Sequence, residues 1–331
     1  MNVTTPGIIH PMTHSTTVDG PKRWTPDRLG DLTGRTVLIT GANSGIGWDA
    51  ARILAERGAT VVLTARSEAK ADDAVARIRA ESPDATLSTV LLDLADLSSV
   101  REAAAAMRER HPRLDALVNN AGVMALPYRT TADGFEMQLG TNHLGHFALT
   151  AELLPSVEAA GGRVVSVSSM AARRGAIDFD DLMGERSYQK WGAYSQSKLA
   201  NLLFTLELER RLRAAGAAAI AVACHPGWAA TNLQGVGPRM EGSRLREVGM
   251  KVANRLLSQS AERGSWPTVF AAAGDGVVGG GYYGPEGIAE SRGPVGTARF
   301  PARALDEDVA RQFWDISEEL TGAEWRFGGS R

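Results

Sequence analysis

A chain of 331 residues with 44% apolar side chains can bury a substantial core, as one large domain or two small ones. Its 36 basic and 38 acidic residues are dispersed, so a net charge of -2 comes with no basic block for nucleic acid and no acidic tail. Cys224 is the only cysteine, which excludes an intramolecular disulfide and a cysteine metal cluster and points to a reducing, cytoplasmic compartment.

The first 30 residues are rich in Thr, Pro, Gly and His and read as a disordered tail, with His10 and His14 as tail residues rather than a metal pair. No apolar run there or later reaches the length of a secretory signal or of a membrane span. From Arg35 onward, short β-branched runs alternate with amphipathic stretches. This pattern predicts an α/β fold, a doubly wound parallel sheet (Rossmann fold) forming one domain over residues 31–331. Strands are expected at Thr36–Thr40, Thr60–Ala65, Leu87–Leu92, Ala116–Asn119, Arg163–Ser168 and Ile220–His225, with a short last one near Tyr282 and Tyr283. Ser67 is placed to cap the helix after the second strand. Ser99-Val100-Arg101-Glu102 reads as a capping box opening an Ala-rich helix that ends near His111-Pro112. Asp306 caps the terminal helix, where Val309, Phe313, Ile316 and Leu320 recur at helical spacing. The glycine-rich stretches Gly235–Gly242 and Gly274–Gly287 are expected as loops at the ligand-binding end of the sheet. They belong to a loop-rich C-terminal substrate lobe over about residues 228–260 and 285–305.

Thr40-Gly41-Ala42-Asn43-Ser44-Gly45-Ile46-Gly47 follows the first strand and opens a helix. Glycines there let the backbone turn tightly and approach a pyrophosphate, whose charge meets the helix N-terminus. The later motifs are Asn119-Asn120-Ala121-Gly122, Asn142, Ser169, Tyr194-x-x-x-Lys198, and Pro226-Gly227 followed by Thr231. In this order and spacing the set resembles the short-chain dehydrogenase/reductase family, continuously from about Leu32 to Thr231. The stretches Asn142-His143-Leu144-Gly145-His146-Phe147 and Tyr194–Asn201 are most similar to its retinol-dehydrogenase-like group.

The resemblance implies NAD(P)-dependent hydride transfer, with Gly41, Asn43, Ser44, Gly45, Ile46 and Gly47 around the pyrophosphate. Charge argues for the phosphorylated cofactor. An acid at the end of the second strand would bind free ribose hydroxyls, whereas this chain has Ala65 followed by Arg66, whose guanidinium can grip a 2′-phosphate. NADP(H) is therefore expected rather than NAD(H). Asp93, with Leu94, resembles the family's adenine contact, although an aspartate at a strand end can equally cap a loop. Asn119, Asn120, Ala121 and Gly122 resemble cofactor-side contacts, as do Pro226, Gly227 and Thr231.

Tyr194 and Lys198 are four apart and share a helix face. A nearby ammonium would lower a phenol from about 10 toward working pH, which suits a general acid–base. The resemblance makes Tyr194 the proton donor or acceptor at the substrate oxygen and gives Lys198 the nicotinamide ribose as well. Ser168 and Ser169 point to opposite sides of the strand end, and the family pattern assigns the substrate contact to Ser169. Asn142, unfavourable in a helix interior, resembles the residue that organises a proton-relay water.

Ser169 and Tyr194 are 25 positions apart, about twice the common spacing. The extra segment, roughly residues 176–192, holds Phe179, Tyr188 and Trp191, and it either walls the substrate pocket or covers the surface. Protochlorophyllide-reductase-like enzymes share such an insertion but carry a cysteine after the Pro-Gly, where this chain has Trp228. Trp228 and the segment after it are expected to line the pocket for an apolar carbonyl or alcohol. The competing reading is a nucleotide-binding scaffold that lost turnover; it has no use for Tyr194 and Lys198 together. The sequence leaves assembly into a homo-oligomer open.

Overall fold

The computed structural model describes Pro21, residues 23–228 and residues 260–328. Eight short runs form one sheet: β1 (Thr36–Ile39), β2 (Thr60–Ala65), β3 (Leu87–Leu91), β4 (Ala116–Asn119), β5 (Arg163–Val167), β6 (Ile220–Cys224), β7 (Tyr282–Pro285) and β8 (Val295–Thr297). Their spatial order is β3-β2-β1-β4-β5-β6-β7-β8. The first seven are parallel and β8 runs antiparallel to β7. The helices are α1 (Gly45–Glu56), α2 (Glu68–Glu81), α3 (Leu97–Arg110), α4 (Gly145–Ala160), α5 (Lys190–Ala214), α6 (Ala261–Ala273) and α7 (Glu307–Thr321).

The strands read as continuous apolar runs because both sheet faces are covered. Val37 and Ile39 of β1 pack with Ala50 and Leu54 of α1 and with Val269 and Phe270 of α6. The intervening Leu38 points the other way, into a cluster with Met107 of α3, Phe147 of α4 and Phe204 of α5. Among the described residues, no helix is long and apolar enough to cross a membrane.

Three expectations need correction. The helix read from Ser99 begins at Leu97, because the Asp96 carboxylate accepts from the Ser98 and Ser99 amides and caps it first. The Ser99 hydroxyl is occupied by the Asp93 amide (3.0 Å). Part of the expected tail is core: Trp24 is 5% exposed, bridges Val295 of the edge strand and meets Phe270 edge-on at 5.3 Å. Finally, residues 274–281 lie away from the ligand-binding end. They lead into the start of β7 and are held by Arg163, at the start of β5, which donates to Gly274 O (3.0 Å).

The chain lays β2 and β3 on one side of β1 and then returns to place β4 on the other. Beyond the carboxyl ends of β1 and β4 this leaves a crevice that, among the described residues, no connection crosses.

Candidate active site

The crevice opens where two turns meet. Thr40, just past β1, accepts at Oγ1 from the amides of Asn120 and Ala121, both at 2.9 Å, and its carbonyl takes the Asn120 side-chain amide at 2.7 Å. Gly41 and Gly45 have φ of +65° and +57°, where a Cβ is strained. A Cβ on Gly47 would lie 2.4 Å from Asn120 Nδ2 and 2.8 Å from Gly41 O, so only glycine lets this turn close. Ser44 precedes α1 without a side-chain cap, so the first helical amides stay available to an anion.

A cavity of about 370 Å³ starts at this turn. Gly41, Asn43, Ser44, Gly45, Ile46 and Gly47 form one wall. Arg66, Asp93 and Leu94 stand at one end, and Asn120, Ala121 and Gly122 lie across from the turn. Tyr194, Lys198 and Pro226 close the far end. These residues fit a dinucleotide: bare glycine backbone and helix amides stand at the centre, and the end of β2 carries no carboxylate. Lys70 joins Arg66 at that end, a second cation that sequence reasoning missed. Asp93 also accepts from the Ala95 amide (3.0 Å), so it caps its loop while facing the cavity. Asn119 does not line it. Its side chain turns inward to Thr150 Oγ1 (2.9 Å), because strand alternation sends it toward α4.

The expected catalytic groups converge at the far end. Tyr194 and Lys198 lie on successive turns of α5, both buried. Burial pushes the Tyr194 phenol above its ordinary value, opposed by a hydrogen bond from Ser169. That reverses the expected lowering by Lys198, whose ammonium is directed at the Val167 carbonyl (3.0 Å) and is itself pulled down to about 8 by burial. Ser168 borders the cavity, but its hydroxyl donates to the Lys198 carbonyl (2.7 Å), which leaves Ser169 as the serine that reaches Tyr194. Asn142 sits in a π-helical turn, Gly140–Leu144. Its side chain clamps Val123, accepting from the amide at 2.7 Å and donating to the carbonyl at 2.9 Å, and donates to Ser197 Oγ at 2.9 Å. A Cβ on Gly122 would lie 3.0 Å from Asn142 Oδ1, so the cavity floor is packed tightly against it.

The insertion sends one aromatic ring outward beside Tyr194 and another inward. Trp191 meets Tyr194 edge-on at 6.1 Å and is half exposed. Tyr188 turns inward, donating to Leu126 O (2.9 Å), lying 3.1 Å from Glu136 Oε1 and accepting from Gln138 Nε2 (2.9 Å). Burial raises the Glu136 carboxyl above the usual range. Gly227 has φ +65° and packs on Ser291, while Trp228 is half exposed beside it and donates its amide to Ser291 O (2.8 Å). Thr231 and Gly235–Gly242 lie outside the described residues.

Residues 35–241 match the short chain dehydrogenase family. The chain is 42% identical to retinol dehydrogenase 13 of Homo sapiens over 298 residues, covering 88% of this chain and 86% of that one. It is 40% identical to retinol dehydrogenase 14 of Mus musculus, covering 92% and 91%. It is also 40% identical to polyprenol dehydrogenase of Mus musculus, covering 90% and 87%. Among solved structures it resembles an uncharacterised protein of Mycobacterium paratuberculosis with a TM-score of 0.76 and 41% identity, covering 92% of this chain and 100% of that one. A structure described as an NAD(P)-dependent gluconate 5-dehydrogenase of Beutenbergia cavernae, with bound NADP, gives 0.59 and 26% over 76% and 95%.

Proposed function

Because the chain belongs to the short-chain dehydrogenase family, as an oxidoreductase of the retinol-dehydrogenase-like group, we propose that it uses NADP(H) and acts on an apolar alcohol/carbonyl pair. The observation that carries this reading is one continuous cavity. It runs from Arg66 and Lys70, past the glycine turn, to Tyr194 and Lys198. The nicotinamide, when bound, supplies or accepts the hydride.

The protein's part is positioning and proton movement. Arg66 and Lys70 form the cationic end that suits a 2′-phosphate; Gly41–Gly47 and the α1 amides suit the pyrophosphate, and Asp93 with Leu94 the adenine. Asn120–Gly122, Lys198, Pro226 and Gly227 suit the nicotinamide half. Tyr194, kept protonated by burial, gives its phenolic proton to a carbonyl oxygen at that end, or takes one back from the alcohol. Ser169, which hydrogen-bonds Tyr194, gives its single hydroxyl proton to the same oxygen once substrate is bound, and Asn142 holds the floor beneath them. Trp191 and Trp228 supply apolar surface at the mouth. Retinol and polyprenol, the alcohols in the relatives' names, are apolar isoprenoid chains, so a long isoprenoid alcohol or aldehyde is the substrate class we infer.

The test is NADPH oxidation by the full chain with retinal and with aliphatic, aromatic and isoprenyl aldehydes, alongside direct NADPH and NADH titration. Turnover with the isoprenoid aldehydes and tighter NADPH binding are expected. Tight NADPH binding without turnover of any aldehyde would favour the scaffold reading instead.

A further inference from the structure

His146 lies in the first turn of α4, one helical turn after Asn142, and is 2% exposed. The mechanism above gives it no task, yet both its ring nitrogens are engaged. Nδ1 stands 3.0 Å from the Asn142 carbonyl oxygen, and Nε2 stands 2.8 Å from Thr40 Oγ1. Thr40 is 106 positions away in sequence, at the root of the glycine turn.

The protons on this chain of atoms follow from elementary bonding. A carbonyl oxygen only accepts, so Nδ1 must carry a proton. Burial holds the ring well below its ordinary value, at about 3, with the Lys198 charge adding to the effect, so the imidazole is neutral and Nε2 is bare. Nε2 can then only accept, and the Thr40 hydroxyl donates to it. That rotation turns the Thr40 lone pairs away from the ring, toward the Asn120 and Ala121 amides at 2.9 Å. The other acceptor within reach of the hydroxyl, Val118 O, is more distant at 3.3 Å.

We propose that His146 is a positioning residue which, through its Nδ1-protonated tautomer, locks the glycine turn and the Asn142 carbonyl into one register. One arm (Nε2 to Thr40) sets the junction of the two turns that face the dinucleotide. The other arm (Nδ1–H to Asn142) holds the π-helical turn whose asparagine supports the proton-transfer end. The proposal rests on the reading of that cavity given above, and its test separates the two.

His146→Asn places an amide donor near the Nδ1 position and nothing at Nε2. His146→Gln places an acceptor oxygen near the Nε2 position and no donor toward Asn142. A single hydrogen bond is worth about a two- to tenfold effect. His146→Asn should therefore weaken NADPH binding, followed by cofactor fluorescence, about two- to tenfold, and more than it lowers kcat. His146→Gln should lower kcat by about the same factor, and more than it weakens NADPH binding. Loss of both in equal proportion in the two variants, tracking their melting temperatures, would reduce His146 to a structural filler and overturn the proposal. Nitrogen-15 imidazole spectra of the intact protein give an answer without any substrate: a protonated Nδ1 and bare Nε2 are expected, and the opposite tautomer overturns the proposal. Asn142→Ala, assayed on the same substrate, separates the two failures. Full turnover there would sink the role given to Asn142 above while leaving the Thr40 arm and the tautomer to be judged on their own measurements.

Discussion

Tyr194 keeps its proton at neutral pH because burial disfavours the phenolate and the Ser169 hydroxyl opposes this only in part. Tyr194→Phe keeps the ring and its edge-on contact with Trp191 but removes that proton. General acid–base catalysis contributes roughly 10²–10⁴-fold, so kcat should fall by about that factor with NADPH affinity nearly constant. Alcohol oxidation needs the phenolate, so its rate should climb as pH rises through the raised phenol value, whereas carbonyl reduction should not. Steady-state kinetics in both directions check this, and near-normal turnover in Tyr194→Phe would mean a different proton route. At the other end of the cavity, Arg66→Ala should weaken NADPH binding about ten- to a hundredfold and NADH binding far less, measured by fluorescence titration. Equal affinities of the unmodified protein for the two cofactors would remove the argument for NADP(H). Tyr194, Lys198, Ser169 and Asn142 could be picked out as candidates because their order and spacing carry the family resemblance, and Arg66 because its charge stands where an acid would bind free ribose hydroxyls. Lys70 and His146 could not, since what makes them matter is a partner brought near by the sheet order. Asn119 was misread because the motif obscured the strand alternation that turns it inward.

The insertion of residues 176–192 is fastened at Tyr188, whose hydroxyl meets Leu126 O, Glu136 and Gln138. Glu136 in turn accepts from the Gln138 and Leu139 amides (2.9 and 2.7 Å), so one buried carboxylate holds both the insertion and the turn leading to Asn142. Tyr188→Phe leaves the Leu126 carbonyl without its donor and Gln138 Nε2 short of an acceptor. Stability should fall by about 1–3 kcal/mol, the cost of leaving such groups unsatisfied, as urea unfolding would measure. If the insertion merely covered the surface, the change would stay within about 0.5 kcal/mol and KM would not move. The sequence marked this segment by its length, and its aromatics hinted at a wall. Which ring faces Tyr194 and which faces Glu136 depends on contacts from distant elements. The α3 boundary shows a similar limit: Asp96 and Ser99 are both acceptable caps, and what decides between them is that the Ser99 hydroxyl accepts from Asp93.

Across the whole molecule, seven parallel strands could be read from the alternation of buried runs and helices, because burial on both faces imposes that composition. The antiparallel β8 could not: three residues around Gly296 carry no periodicity, and the strand exists because β7 on one side and Trp24 on the other complete its pairing. The same burial that makes the core also makes Lys198 costly. Its ordinary value of 10.5 is pulled down to about 8 in the folded chain, chiefly by desolvation. Below pH 8 both folded and unfolded chains hold the proton, so the full penalty for burying the ammonium is present. Between about 8 and 10.5 the folded chain releases it while the unfolded chain keeps it, so this group's contribution to stability rises with pH. Cys224 and Tyr194 are both raised by burial and work the opposite way at alkaline pH, because the unfolded chain ionises them first. Comparison with Lys198→Met isolates the lysine, since methionine keeps most of the stem packing and Asn201 still donates to the Val167 carbonyl (3.2 Å). At pH 7 the cofactor-free Lys198→Met protein should be more stable than the unmodified one by about 3 kcal/mol, following about 1.4 kcal/mol for each pKa unit between 10.5 and about 8. The gap should narrow steadily from pH 8 upward in urea unfolding. A gap that stays constant from pH 7 to 10 would mean that the ammonium is not the source of the penalty, and that Lys198 is solvated well enough to keep its charge throughout.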